Sequence, residues 1–280
     1  MLICRSVADC RAAIADVRAK GQIIGMVPTM GFLHEGHMRL VATAQDNADA
    51  VVVSIFVNPS QFGDASDLDA YPRNEARDLA MLKDAGVALV FMPDVETMYP
   101  AGDETIVETT RMANMLHGLV RPGHFRGVAT VVTRLFNIVT PDVAAFGEKD
   151  YQQLQIIKRM VADLHMPLTI IGAPTVREAD GLAMSSRNVR LSPQDRAAAS
   201  VISRALTAAE TAASGATVDD LHGLISDTIS TEPRASLKGL DIVEAETLNA
   251  IDGPLQGPTA IMISVAFGDI LLIDQRVVTP

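Results

Sequence analysis

The chain has 280 residues, 48% of them apolar and 20% charged, so it can bury a sizeable core as one large or two smaller globular domains and is not a disordered composition. Its net charge of −11 excludes a broad nucleic-acid surface, which would need a basic stripe, and makes any anion site depend on a local gathering of cations. No apolar run reaches the ~20 residues that cross a bilayer, and the charged N-terminus lacks the unbroken apolar core of a signal peptide, so a soluble, cytoplasmic protein is expected.

"MLICRSVADCRAAIADVR" reads as helical. Cys4 and Cys10 fall inside it as two small buried hydrophobes, without metal-site or disulfide-framework spacing. "GQIIGMV" reads as a strand, followed by a helix from His37 to about Ala48. Ala50 to Val57 is an almost unbroken apolar run, as expected of a strand buried on both faces of a parallel sheet. "NEARDLAMLKDAG" reads as a helix with Gly86 as its stop, and "VALVFM" as the next strand. "RGVATVVTRLFNIV" reads as a helix closed by Thr140-Pro141, then "DVAAFG" as a strand, "YQQLQIIKRMVADL" as a helix and "PLTIIGAP" as a strand. This alternation predicts an α/β, Rossmann-like, doubly wound parallel sheet, with ligands beyond the carboxyl ends of the strands.

After about Arg190 the character changes. "SPQDRAAASVISRALTAAETAA" and "VDDLHGLISDTIS" read as two helices, and "LKGLDIVEAETL", "TAIMISVAFG" and "DILLIDQRV" as three strands. That order predicts a smaller α+β C-terminal domain. The expected division is residues 1–178 for the nucleotide-binding domain and 179–280 for a lid-like closing domain, hinged near Ala179 to Met184.

Four polar segments fall where the sheet rule puts a site, and a fifth, "HGLVRPGHFRG", precedes a helix. In "PTMGFLHEGH", Gly31 and Gly36 permit tight turning and close approach, and a helix start offers backbone N–H groups to an anion. His34 and His37 add donors, or are ordinary loop histidines. In "FVNPSQF", Asn58 and Gln61 are amides suited to reading hydroxyls and carboxylates, or simple turn residues. "HGLVRPGHFRG" gathers Arg121, His124 and Arg126 in a Gly/Pro-rich loop, an anion site, a mobile lid or a solvated surface. "GEKD" places Lys149 for a phosphate and Asp150 for a ribose or a Mg²⁺ shell, with N-capping as the plainer role of Asp150; Gln153 lies one turn on. "LAMSSRN" offers Ser185, Ser186 and Arg187 as a compact phosphate clamp, or a plain polar loop.

Taken together, "PTMGFLHEGH", "VSIFVNPSQF", "YPR", "RPGHFRGVAT", "FGEKDYQQL" and "DGLAMSSRN" resemble the pantothenate synthetase (pantoate–β-alanine ligase) family. "HEGH" is similar to the HxGH signature, and "MSSR" to the second phosphate motif, of the wider nucleotidylyltransferase superfamily. The resemblance covers residues 20–190 strongly and the remainder weakly, although "LLID" also fits. It implies ligation of (R)-pantoate and β-alanine through a pantoyl adenylate, with ATP as substrate, Mg²⁺ as cofactor, AMP and pyrophosphate released, and a cytoplasmic homodimer. Neither nucleic acid nor membrane is an expected partner.

Carried over by position, the resemblance implies an ATP site of Met30, Gly31, Phe32, Leu33, His34, Glu35, Gly36, His37, Gly147, Glu148, Lys149, Asp150, Val176, Met184, Ser185, Ser186 and Arg187. It makes His37 a proton donor, with His34, Lys149 and Arg187 as its catalytic companions. Gln61 would contact pantoate and β-alanine, and Gln153 pantoate, with Asn58, Tyr71, Arg121 and His124 as neighbours. The Mg²⁺ ligands stay unassigned. Phe32 departs from an often smaller residue, with no expected cost. Attack by an ionised carboxylate needs no general base, so phosphate-charge stabilisation by His37 explains its presence as well as proton transfer does. The alternative reading is a nucleotidyltransferase of the same superfamily acting on a phosphorylated substrate.

Overall fold

A computed structural model describes residues 1–63 and 68–280 and divides the chain into two compact units. The larger comprises Met1–Gly147 and Gln152–Ala173, and the smaller Glu148–Tyr151 and Pro174–Pro280.

The larger unit holds the expected Rossmann-like sheet. Its elements are β1 (Leu2–Cys4), α1 (Val7–Arg18), β2 (Ile24–Thr29), α2 (Glu35–Gln45), β3 (Ala50–Ile55), α3 (Glu75–Asp84), β4 (Leu89–Phe91), α4 (His124–Val139), β5 (Val143–Gly147), α5 (Tyr151–Asp163, its first residue in the smaller unit) and β6 (Thr169–Ala173). All six strands pair in parallel, in the order β1-β4-β3-β2-β5-β6. From β2 the chain winds outward through β3 and β4, then returns to lay β5 on the other side of β2. The sheet therefore reverses direction at β2, where such sheets open a crevice at their carboxyl ends.

Strand alternation builds a core on each face. Val52, with Ile24, Met26, Leu89 and Phe146, packs on α1, α4 and α5. Val51 and Val53 point the other way, with Val27, Val90 and Ala145, onto Val41 of α2 and Leu82 of α3. The expected stop of α3 is present, with Gly86 at φ +74° just beyond the helix end.

The N-terminus is not helical throughout, because Leu2–Cys4 forms an edge strand registered on β4, and α1 begins only after Ser6, whose hydroxyl accepts the Asp9 N–H. Helix α2 begins two residues earlier than expected, since His34 itself is the N-cap.

The smaller unit carries α6 (Pro193–Ala198), α7 (Val201–Ala212) and α8 (Val218–Ser230), with β7 (Ser236–Glu244), β8 (Thr259–Phe267) and β9 (Ile270–Val278) as an antiparallel sheet in that order. Every residue of β8 is buried. Ile202, Leu206, Leu221 and Ile225 pack with Ile261, Ile263 and Val265 in a separate core. The helix expected from Ser192 onward is broken in two. Ser200 donates its hydroxyl to the Ala197 carbonyl, and Ile202 N–H reaches back only three residues, to Ala199, which tightens the chain between α6 and α7.

Thr140 closes α4 in the left-handed region, at φ 47° and ψ 55°, and is exposed. A β-branched residue there is strained, so Thr140→Gly is expected to raise the unfolding free energy by about 0.5–1 kcal/mol in urea denaturation.

Candidate functional site

At the end of β2 the chain turns sharply. Thr29 Oγ1 donates to the Ser54 carbonyl (2.7 Å) and accepts the Gly31 N–H (3.2 Å). Gly31 sits at φ +80°, where a Cβ would lie 3.0 Å from both Asp78 Oδ2 and Ile55 Cγ2, so only glycine fits. Phe32 follows at φ 51°. The Phe32 and Leu33 N–H groups donate to the two oxygens of Asp78, at 2.7 and 2.8 Å. Arg77 lies over the Phe32 ring, 5.7 Å from its centroid.

Both histidines cap the start of α2. Nδ1 of His34 accepts the Gly36 N–H (3.1 Å), and Nδ1 of His37 accepts the His34 N–H (3.2 Å), with the ring centroids 4.1 Å apart. A Cβ on Gly36 would come within 2.8–2.9 Å of the His34 ring. An accepting Nδ1 carries no proton, so each neutral ring holds its hydrogen on Nε2. The N–H groups of His37 and Met38 turn back to the His34 carbonyl. Backbone N–H groups expected to face an anion are thus largely engaged inside the turn, and the imidazole donors take their place.

At the end of β3, Asn58 is 1% exposed and caps the one-turn helix Pro59–Gln61. Its amide hydrogens go to Gln61 Oε1 (3.0 Å) and the Gly127 carbonyl (3.1 Å), while its oxygen accepts from Tyr99 OH (2.7 Å) and Ser60 Oγ (2.9 Å). Its hydrogen-bonding capacity is used internally, and its effect is to fix Gln61. Gln61 in turn donates to Met30 Sδ (3.3 Å), which joins this turn to the one at β2. The Gln61 carbonyl, an acceptor only, lies 2.8 Å from His124 Nδ1, which therefore carries the proton; Nε2 then accepts from Arg121 (3.3 Å). Tyr71 meets the Phe62 ring edge-on at 6.1 Å. Gln152 is the amide of α5 that is tied down: it is buried, bonds the Met112 and Met115 carbonyls, and accepts the His117 N–H. Gln153, expected at the site, is half-buried beside it.

In the smaller unit, Glu148–Asp150 forms a single helical turn packed against β9. Val176 and Met184 face each other across a hairpin, with the Met184 N–H on the Val176 carbonyl (2.9 Å). Arg177 anchors it by a two-point bond to buried Asp274 (2.6 and 3.0 Å) and a bond to the Gly181 carbonyl. Arg196 grips Glu178 and Asp180, and its hydrogen bond holds the Asp180 carboxyl below the usual range. Asn188 ties the loop back to Glu178 and Ala183, and Ser185 Oγ accepts the Arg187 N–H (3.2 Å). Arg187 is exposed, and among the described residues neither it nor Lys149 forms an ion pair. Among the described residues no group of three or more His, Cys, Asp or Glu could hold a metal ion.

Within the larger unit, then, Met30, Asn58, Gln61, Arg121 and His124 form one connected set beside the histidine pair. Sequence reasoning missed Asp78, Tyr99 and Gln152. For Asp78 a signal existed: it stands four residues before Leu82, on the buried stripe of α3, where a carboxylate calls for partners.

A family model described as pantoate-beta-alanine ligase matches residues 2–277. The pantothenate synthetase of Pelotomaculum thermopropionicum is 50% identical over 279 residues, 99% of each chain, and that of Rhizobium meliloti 51% identical over 277 residues, 98% of this chain and 95% of the relative. The crystal structure of pantothenate synthetase from Thermus thermophilus superimposes with a TM-score of 0.93 at 45% identity, covering 100% of both chains. That of a pantoate-beta-alanine ligase from Francisella tularensis, complexed with beta-gamma ATP and beta-alanine, gives 0.81 at 34% identity, covering 99% of this chain and 97% of its own.

A Cβ on Gly127 would lie 2.4 Å from the Ser60 carbonyl oxygen and 2.7 Å from the Gln61 nitrogen. Gly127→Ala is therefore expected to push the Pro59–Gln61 turn away and to lower the unfolding free energy by about 1–3 kcal/mol, read from denaturant titration.

Proposed function

The chain belongs to the pantoate–β-alanine ligase family, and from that premise we propose how its residues carry out the joining of pantoate to β-alanine as pantothenate. A carboxylate is a poor electrophile, so ATP must activate it. In the first step a pantoate carboxylate oxygen attacks the α-phosphorus of ATP, the bond to the bridging oxygen breaks, and pyrophosphate leaves with pantoyl adenylate formed. In the second, the β-alanine amine attacks the acyl carbon, loses a proton, and expels AMP as the amide bond forms.

The first step brings two anions together, so its main requirement is charge stabilisation on the phosphates. The observation that carries the residue-level reading is that both rings accept backbone N–H groups at Nδ1, His34 from Gly36 and His37 from His34, which leaves both imidazoles neutral with hydrogen on Nε2, a donor suited to a phosphate oxygen. His37 stabilises growing charge in this reading, with His34 beside it, and Lys149 and Arg187 supply full positive charges. Met30, Gly31, Phe32, Leu33, Glu35, Gly36, Gly147, Glu148, Val176, Met184, Ser185 and Ser186 complete the contacts to ATP. Gln61 binds pantoate and β-alanine, Gln153 binds pantoate, and Asn58 acts by holding Gln61 in place. Tyr71, Arg121 and His124 are neighbours of the substrates, with His124 set by the Gln61 carbonyl.

Mg²⁺ commonly binds through one or two carboxylates together with substrate phosphates, and a donor set with exposed Asp150 beside Lys149 and no protein cage among the described residues suits that mode. Asp150 would hold the ion, which neutralises triphosphate charge when bound. Among the described residues no helix is long and apolar enough to cross a membrane, and the family resemblance supports a cytoplasmic homodimer.

Exchange of labelled pyrophosphate into ATP is expected to require pantoate, with AMP and pantothenate appearing once β-alanine is added. Exchange that proceeds without pantoate would sink this reading. His37→Ala is expected to keep the fold, by circular dichroism, while exchange falls about 10²–10³-fold, the usual loss for one preorganised donor to a developing anion.

A further inference from the structure

The geometry points to Asp78 as a positioning residue for adenylation: its carboxylate occupies the concave turn after β2 and sets the direction in which the chain enters the His34–His37 pair. This inference rests on the function proposed above.

Asp78 lies in the first turn of α3, which Asn74 caps, and is 1% exposed. A carboxylate so buried is costly unless both oxygens are bonded. Here both are, to the consecutive N–H groups of Phe32 and Leu33 at 2.7 and 2.8 Å. Gly31 and Phe32 both have positive φ, and in this turn the successive N–H groups of Phe32 and Leu33 face the same carboxylate, a nest that takes an anion. The anion in this nest belongs to the chain itself.

Two consequences follow. The nest is closed to a substrate phosphate, so the turn serves the reaction through what it positions. The two bonds also fix the peptide planes on either side of Phe32, and the next residue but one is His34, whose N–H donates to His37 Nδ1. Rotation at Phe32–Leu33 would move that N–H and release the His37 ring from the tautomer with hydrogen on Nε2. The effect depends on two acceptors. In Asp78→Asn the amide has the same size, but its NH₂ faces one of the two N–H groups.

The test compares Asp78→Asn and Asp78→Glu with the parent. For Asp78→Asn, pantoate-dependent ATP–pyrophosphate exchange is expected to fall about 10²-fold in kcat, the scale of loss for a displaced catalytic group, with the pantoate KM changed only a few-fold. Aminolysis of chemically supplied pantoyl adenylate by β-alanine is expected to stay within a few-fold of the parent, and Asp78→Glu to recover part of the exchange. A merely structural role lowers exchange and aminolysis together, in proportion to the folded fraction, and that result overturns the proposal; so does exchange close to the parent's in Asp78→Asn.

Two measurements on the parent keep the inference testable if the variants do not fold. Hydrogen exchange at the Phe32 and Leu33 amides is expected to be slow, and ¹⁵N-imidazole NMR to show His34 and His37 protonated at Nε2. Rapid exchange at both amides, or protonation at Nδ1, overturns it. Absence of any pantoate-dependent exchange in the parent defeats the proposed function instead, and the amide and imidazole signals then still report on the turn.

Discussion

Two imidazoles capping one helix is the constraint on which the site depends. A helix start leaves N–H groups without intrahelical partners, and a serine or aspartate oxygen usually accepts them. Here ring nitrogens do so, and each acceptance decides a tautomer. The same logic gives His124 the opposite one, because its Nδ1 faces a carbonyl. Three histidines of one unit are thus assigned by backbone groups alone. The sheet order brings the capped turn to the strand where the winding reverses, so hydrogen-bond donors of fixed direction stand at the place where a parallel sheet receives its ligand.

Charge is distributed accordingly. In a chain of net charge −11, most of the well-placed arginines are committed to structure: Arg134 to Asp103, Arg177 to buried Asp274, Arg196 to Glu178 and Asp180. Removing one partner of a pair such as Arg177–Asp274 leaves a charge stranded, so these cations are poorly suited to a second task. Lys149 and Arg187 carry no such commitment among the described residues, and both lie in segments that the proposed function assigns to ATP.

The buried parallel strands were legible in the sequence because burial on both faces writes an apolar run, as in Ala50–Ile55. Leu2–Cys4 was not, since three residues at a sheet edge write no periodicity and owe their conformation to β4, far along the chain. The break between α6 and α7 was equally hidden, because an alanine-rich stretch reads as one helix and a single serine hydroxyl sets the turn. In the site, the residues of the quoted motifs stood out because each motif is contiguous. What holds them is not contiguous: Asp78 lies 46 positions from Phe32, and Tyr99 lies 41 from Asn58. Such pairs leave no local pattern, apart from a carboxylate at an apolar-stripe position.

The amide cluster at β3 fits the electrostatics of the proposed first step. Pantoate must approach ATP although both are anions, so cationic charge is most effective on the phosphates, where negative charge moves as the bond to pyrophosphate breaks. Charge at the pantoate end that binds the ground state as firmly as the transition state gains no rate, and the cation there, Arg121, is engaged with His124. A neutral glutamine orients hydroxyl and carboxylate oxygens without that penalty, provided its direction is fixed. Asn58 fixes it from one side, the Met30 sulfur receives its Nε2 on the other, and Gly127 lets α4 close in behind it. The network commits a buried asparagine, a tyrosine hydroxyl and a glycine to the direction of one uncharged side chain. That commitment is intelligible if Gln61 orients substrates by directed hydrogen bonds.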